Sequence, residues 1–198
     1  MIIDTNQSAV NLTDIRGLIC IDCWEDPELD DYYQTLCKTI NFAQFDSIVV
    51  ANYEIELSAD DVSLTNTLHQ YSWNNYTPAV LLPVVKETRQ RKTSRYLQQH
   101  FNEKSFLLLD TASFEIHVEQ CVSHITDWLV IGGWWQYCSH VRPIGFCKLA
   151  KLDYNFYTAD NLIYHKELGN LNRQMIEQDY LQWIDCTQGL YQLKHDPR

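Results

Sequence analysis

The chain has 198 residues, of which 45% are hydrophobic and 21% are charged, the composition of an ordinary globular protein. Its formal net charge of −11 would repel a phosphate backbone, which argues against general nucleic-acid binding. No window approaches the roughly 18 consecutive apolar residues of a membrane-spanning helix, so no contact with a membrane is predicted.

Cysteine usage and the start of the chain indicate where the protein works. The seven cysteines are odd in number and scattered through apolar segments, which favours reduced thiols over a disulfide framework. The first residues contain no basic segment followed by an apolar run, so no signal peptide is expected. A cytoplasmic location is therefore predicted. At this length one sizeable core can form, and residues 1–198 are predicted to be a single domain.

The segment from Gly17 to Glu54 has the pattern of a strand, a helix and a second strand. GLICIDCW, residues 17–24, is almost wholly apolar, as expected of a strand covered on both faces in a parallel sheet. Pro27 then opens a helical pattern, whose apolar residues are spaced four, three and four apart on one face: Leu29, Tyr33, Leu36 and Ile40. SIVVANYE, residues 47–54, is rich in valine and predicts a second buried strand. The order predicts a βαβ unit.

The middle of the chain, from residue 55 to about residue 100, has no stable period. Residues 79–85 are apolar but contain Pro83, which suits an edge strand or a packed loop. Residues 86–101 are basic and predicted to be helical. Their charges fit either a solvated helix face or contact with an acidic partner or a ligand phosphate.

Alternation of strands and helices resumes after the middle region. Further strands are predicted at residues 105–110, 128–134 and 154–160, and helices at 114–125 and 139–152. The tail is predicted to hold a helix from Leu171 to Trp183 and a short strand near Leu190. Five strands separated by helices predict an α/β protein with a three-layer, doubly wound, mainly parallel sheet of the Rossmann-like kind.

Residues with reactive or planar side chains lie at or beyond the carboxyl ends of three of these predicted strands. They are Asp22 and Trp24 at the end of the first strand, Asp110 at the end of the third, and Cys138 beyond the glycine pair of the fourth. In doubly wound folds ligands bind outside the carboxyl ends of the strands, where the loops converge. The fold would therefore bring an acid, a thiol and tryptophans to one edge of the sheet.

Each of these residues is also consistent with a purely structural role. Cys138 fits a small buried hydrophobe, and Asp22 fits a loop residue that accepts backbone N–H bonds. Tryptophans next to the strand ends fit core packing as well as stacking on a planar ligand. His140 is a second candidate base for the thiol.

Cofactor and metal sites have little support in the sequence. Cys20 and Cys23 form a CxxC pair, but it lies inside a predicted strand, whereas the redox motif caps a helix. Cys138 and His140 have no second ligand pair, so no metal is predicted. No GxGxxG motif follows the first strand and no GxxxxGK(S/T) motif is present, so no nucleotide cofactor, and no cofactor of any kind, is predicted.

The order and spacing of these features resemble the isochorismatase-like cysteine hydrolases. LICIDCWED is similar to the family's first strand, which ends in an aspartate, and Cys138 lies six residues after Gly132 as the family's cysteine follows its glycine. Ala112-Ser113-Phe114 resembles the small-small-aromatic turn before the family's third helix. FYTADN resembles the strand that closes the unit with an aspartate. The resemblance covers residues 17–54 and 105–161.

The resemblance implies a hydrolase that acts on a small amide or carbonyl compound through a thiol. Cys138 would be the nucleophile and Asp22 the general base. The predicted substrate-binding residues are Trp24, Asp110, Gly133, Trp134 and Trp135. Members of the family usually self-associate, so a homodimer or homotetramer is expected, together with a small-molecule ligand.

Departures from the family pattern lead to a second hypothesis. The family has a catalytic lysine at the end of its third strand, where this chain has Leu107, Leu108, Leu109 and Asp110. The metal ligands that nicotinamidases carry after the second strand are absent from ANYEIELSADD, which disfavours a nicotinamidase. The alternative is therefore a degenerate member that keeps the fold to bind a small molecule or a protein without hydrolysis.

Overall fold

The computed structural model describes residues 11–51, 93–108, 110–134, 143–159, 162–165, 169–170, 181–185 and 190–193. Within these ranges the chain has an α/β fold with helices and one mainly parallel, mixed sheet. The described helices are α1 (Asp30–Thr39), α2 (Arg95–Gln98), α3 (Thr111–Cys121) and α4 (Phe146–Leu149). No described helix is long and apolar enough to cross a membrane.

The described strands number nine, and all belong to the same sheet. In chain order they are β1 (Gly17–Ile21), β2 (Ser47–Ala51), β3 (Ser105–Leu107), β4 (Asp127–Trp134), β5 (Asn155–Ala159), β6 (Ile163–His165), β7 (Gly169–Asn170), β8 (Leu181–Asp185) and β9 (Leu190–Leu193).

The sheet runs in the order β3-β2-β1-β4-β5-β9-β8. Strands β1 to β5 are mutually parallel, as the alternation of strands and helices predicts. Strand β9 is antiparallel to both β5 and β8, so the far edge of the sheet is mixed. Strand β6 pairs with the end of β4 and with β7. The parallel half is confirmed, and the antiparallel edge was not predicted.

Alternate residues of β1 enter two different hydrophobic clusters. Ile19 lies in the cluster that contains Phe114 of α3. Leu18 lies in the cluster that contains Leu36 of α1. All five residues of β1 are buried, which explains why this strand is a continuous apolar run rather than an alternating one.

Several element boundaries differ from the sequence predictions. Strand β1 ends at Ile21, so Asp22 lies just beyond it rather than inside a strand that reaches residue 24. A 3-10 turn at Pro27–Leu29 precedes α1, because Pro27 suits the first position of a helix. Helix α3 begins at Thr111, three residues before the predicted start, because Asp110 caps it.

Two helix predictions are wrong where the structure describes them. Residues 143–145 form a turn before α4, so Pro143 precedes the helix instead of interrupting it. Leu181–Trp183 belong to β8 rather than to a tail helix, because they pair with β9. The remainder of that predicted helix, residues 171–180, and the apolar segment 79–85 lie outside the described residues. The strand predicted near Leu190 is confirmed as β9.

Candidate functional site

The candidate site lies at the carboxyl ends of β1 and β4, which together form the β1–β4 edge. In the order of strands within the sheet, β2 and β3 lie to one side of β1, and β4 and β5 lie to the other. The strand order therefore reverses between β1 and β4, and open α/β sheets bind ligands at such a point. The predicted acid follows β1, and the predicted glycine-led loop follows β4.

The register of β1 and β4 sets which residues lie level at this edge. Ile21 of β1 pairs with Gly132 of β4. This is the last pair between the two strands. The next residues are Asp22 and Gly133, so these two predicted site residues lie side by side just beyond the paired region. Trp134 is the last residue of β4, one step further on.

Gly132 is required at its position by two independent constraints. Its φ is +111°, a backbone conformation that residues with a side chain rarely adopt. A Cβ atom there would overlap the carbonyl oxygen of Ile21 and the sulfur of Cys23. The close approach of β1 and β4 at this edge therefore depends on a glycine.

Asp22 combines complete burial with a left-handed backbone. Its side chain is 0% exposed, and its φ of 46° is the only positive φ of a non-glycine residue in the described ranges. This conformation costs about 1–2 kcal/mol for an L-residue, although aspartate tolerates it better than most. The Asp22 N–H donates to the Ala51 oxygen at 2.9 Å, so β2 holds the strained residue in place. Strained backbone of this kind clusters at functional sites.

The segment that leads into α2 crosses this edge. Thr93 forms an antiparallel bridge with Trp24, and the Ser94 N–H donates to the Cys23 oxygen at 2.8 Å. Thr93 and Trp24 are both buried. The sequence prediction of one helix over residues 86–101 is therefore wrong at Thr93–Ser94. A Thr-Ser pair before a helical pattern is a common start signal, and it could have indicated the boundary.

Tyr32 of α1 also reaches the site, and no sequence pattern singled it out. The Tyr32 hydroxyl donates to the Leu162 oxygen at 2.7 Å, and the Gly132 N–H donates to the same oxygen at 2.9 Å. Burial and the neighbouring Cys23 raise the pKa of Tyr32 well above its usual value. The Tyr33 ring lies beside it, with ring centroids 5.1 Å apart.

Asp110 has a defined structural role at the end of β3. One of its oxygens accepts hydrogen bonds from the Ser113 N–H at 2.7 Å and from the Ser113 hydroxyl at 2.6 Å. It thereby caps α3, as short acidic side chains do at helix starts. Its predicted contact with a substrate stays a prediction.

Two of the remaining predicted site residues lie outside the described residues, and a third is described only in its backbone. Cys138 and Trp135 fall in the range 135–142, and for Trp134 the strand position is described without the side chain. Cys20 and Cys23 are buried, and neither forms a disulfide with another described cysteine. In the ranges that the structure describes, no group of three histidine, cysteine or acidic side chains is arranged to hold a metal ion.

Comparison with protein-family models, curated proteins and solved structures returned no significant match to this chain. The family resemblance therefore rests on the residues quoted above.

Proposed function

We propose that this chain is a divergent isochorismatase-like cysteine hydrolase acting on a small amide or carbonyl compound. Cys138 is the nucleophile and Asp22 the general base. The observation that carries the proposal is the position of Asp22: a fully buried acid in a left-handed conformation, at the β1–β4 switch point. Strained backbone clusters at functional sites, where it can hold a catalytic base in position.

Two features of the fold support the finer part of the proposal. The hydrophobic clusters on alternate sides of β1 contain α1 and α3 respectively, as a three-layer, doubly wound, Rossmann-like arrangement requires. The register of β1 and β4 puts Gly133 level with Asp22, and β4 ends one residue later at Trp134. Cys138 lies five residues after Gly133 in the sequence.

In the proposed reaction, the Cys138 thiolate attacks the carbonyl carbon and gives a thioester. Asp22 takes the thiol proton and delivers it to the leaving group. Backbone N–H groups of the loop from residue 133 to residue 138 hold the oxyanion. Trp24, Trp134 and Trp135 line the substrate pocket with Asp110 and Gly133. The proposed assembly is a homodimer or homotetramer in the cytoplasm.

One observation favours the second candidate, a degenerate member that binds without hydrolysis. At the end of β3, where the family has a lysine, Leu107 and Leu108 are buried and Asp110 is engaged in capping α3. No cation at the end of β3 would therefore stabilise the thiolate form of a cysteine at this site.

Thiol labelling across pH separates the two candidates. The folded protein is treated with iodoacetamide between pH 5 and pH 9, and the labelled cysteines are identified by peptide mass spectrometry. The hydrolase predicts that Cys138 reacts selectively with a midpoint near pH 6, as activated thiols do. The matched control is Cys138→Ser, which removes this reaction alone.

Buried thiols give an internal control in the same experiment. Cys20 and Cys23 are 0% exposed, so their labelling would report unfolding rather than reactivity. A Cys138 that reacts only with the ordinary midpoint of about pH 8.5 would contradict the hydrolase and favour the binding protein.

A further inference from the structure

Tyr33 is a buried phenol on α1, the helix that follows β1 in the chain. It is the fourth residue of α1 and is 0% exposed. Its ring belongs to the hydrophobic cluster that contains Cys23, Leu29 and Leu97. The neighbouring Tyr32 reaches the Leu162 oxygen beside Gly132, which locates this part of α1 at the β1–β4 edge.

The Tyr33 hydroxyl differs from those of other tyrosines in the described part of the chain. It has no hydrogen-bond partner among the described residues, whereas the hydroxyls of Tyr32 and Tyr157 donate to the Leu162 oxygen and to Asp127. Leaving a buried hydroxyl without a partner costs free energy, and native proteins rarely do so. Phenylalanine would fill the same space without that cost. The hydroxyl therefore needs an explanation other than packing.

The groups around Tyr33 keep its hydroxyl protonated. Burial raises the pKa of Tyr33 well above its usual value, and the nearby Cys23, Tyr32, Asp26 and Asp22 raise it further. The phenol is therefore a neutral hydrogen-bond donor across the working pH range of a hydrolase. Tyr33 packs in the same hydrophobic cluster as Cys23, the residue that follows Asp22 in the chain.

We propose that the Tyr33 hydroxyl donates a hydrogen bond to the carbonyl oxygen of the substrate bound between the ends of β1 and β4. This rests on the proposed function. As the Cys138 sulfur forms its bond to the carbonyl carbon, the carbonyl oxygen becomes negative and its hydrogen bond to Tyr33 strengthens. The site thereby gains a neutral hydrogen-bond donor from α1, in a chain whose β3 lacks the family's lysine.

Acylation by p-nitrophenyl acetate, a small activated ester, tests this role. The C–S bond forms as the bond to p-nitrophenolate breaks, the leaving group takes the electron pair, and the thiol proton passes through Asp22 to it. Water then adds its hydroxyl to the acyl carbon, and its proton returns through Asp22 to the sulfur. Release of p-nitrophenol is followed optically, and the acetyl group on Cys138 is located by mass spectrometry.

Tyr33→Phe is the informative variant, because it removes the hydroxyl and leaves the ring. Its acylation rate is expected to fall about 100-fold, as in the loss of one oxyanion donor. Its denaturation midpoint is expected to stay the same or rise, because no hydrogen bond between described residues is lost. Tyr157→Phe is the matched control: it removes a partnered hydroxyl at the other edge of the sheet, and is expected to lower the midpoint and leave acylation unchanged.

The possible outcomes separate this inference from the proposed function. Acylation of Cys138 that is unchanged in Tyr33→Phe would overturn the role of Tyr33 and leave the hydrolase standing. A Tyr33→Phe variant that loses stability and acylation together, as a packing residue would, also overturns it. No acylation of Cys138 in the unmodified protein, with Cys138→Ser behaving identically, would overturn the proposed function and the role of Tyr33 together.

Discussion

The two ends of the central strands differ in their backbone conformation. At the amino end, Asp127 accepts hydrogen bonds from Thr126, Asn155 and Tyr157, and no described residue there other than glycine has a positive φ. At the carboxyl end, Asp22 is strained and buried, and Gly132 has a positive φ.

A buried hydrogen-bonded pair lies at the amino end. The Ser47 hydroxyl and Nε2 of His117 are 2.8 Å apart and both residues are fully buried. The His117 ring also packs on Phe106, with ring centroids 4.2 Å apart. Among the described residues, positive φ angles occur only at the carboxyl ends of β1 and β4, where open α/β sheets bind ligands.

The largest effect is expected from Gly132→Ala at the carboxyl end. The added methyl group requires an unfavourable φ and overlaps the Ile21 oxygen and the Cys23 sulfur. We expect a loss of about 4 kcal/mol in the free energy of unfolding, from strain and overpacking together. Urea denaturation followed by fluorescence measures it.

A second substitution separates the two causes. In a Cys23→Ala background the thiol overlap disappears, but φ and the Ile21 oxygen remain, so Gly132→Ala should recover only part of its loss. Full recovery would show that the backbone at Gly132 is not strained.

The next largest effect is a pH dependence at the amino end. Burial lowers the pKa of His117 to about 4 from its usual 6.5. Because the unfolded chain then binds the proton more readily, stability is fully present above about pH 6.5 and is lost as the pH falls towards 4. The loss attributable to His117 is about 3 kcal/mol.

Comparison with His117→Gln isolates this contribution. Glutamine retains a hydrogen-bonding group for Ser47 but does not titrate, so the variant should lack this part of the slope in unfolding free energy between pH 6.5 and pH 4. Equal slopes in the two proteins would mean that His117 is protonated in the folded state.

A smaller loss is expected from Tyr157→Phe, also at the amino end. The Tyr157 hydroxyl donates to Asp127 at 3.0 Å, and a hydrogen bond to a charged acceptor stabilises by about 1.5 kcal/mol. Denaturant titration should show this loss, while iodoacetamide labelling of Cys138 stays unchanged. A change in the labelling midpoint would show that the two edges are coupled.

The smallest effect tests the backbone strain at Asp22. Asp22→Gly and Asp22→Ala remove the same carboxylate, so their difference reports the backbone alone. We expect the glycine variant to be more stable by about 1 kcal/mol, because glycine adopts a positive φ without penalty. Paired thermal and urea denaturation would show it, and an alanine variant of equal stability would argue against a strained Asp22.

The sequence was most informative where the chain is buried on both faces. Runs such as residues 17–21 and 47–51 are continuous and apolar, so they predict parallel strands whatever they pair with. Strand β8 is different: residues 181–185 become a strand because β9 pairs with them, and that partner is not visible in the local pattern.

In the candidate site, too, some features follow from the local sequence pattern and others depend on residues that are distant in the sequence. Asp22 follows β1 and Gly133 lies near the end of β4, so parallel pairing alone predicts that they lie at the same ends of the strands. Thr93 meets Trp24 across more than sixty intervening residues, and no local signal encodes that contact. Periodicity identified Tyr33 as a buried residue of α1, but it says nothing about whether a hydroxyl has a partner.

The Leu162 oxygen joins three parts of the molecule, since it accepts from Gly132 of β4 and from Tyr32 of α1. Moving α1 away from β4 would break at least one of these bonds, at a cost of about 1 kcal/mol. The Tyr32 hydroxyl therefore holds α1 beside the end of β4, and a ligand that binds there would forfeit little binding energy to rearrangement of the protein.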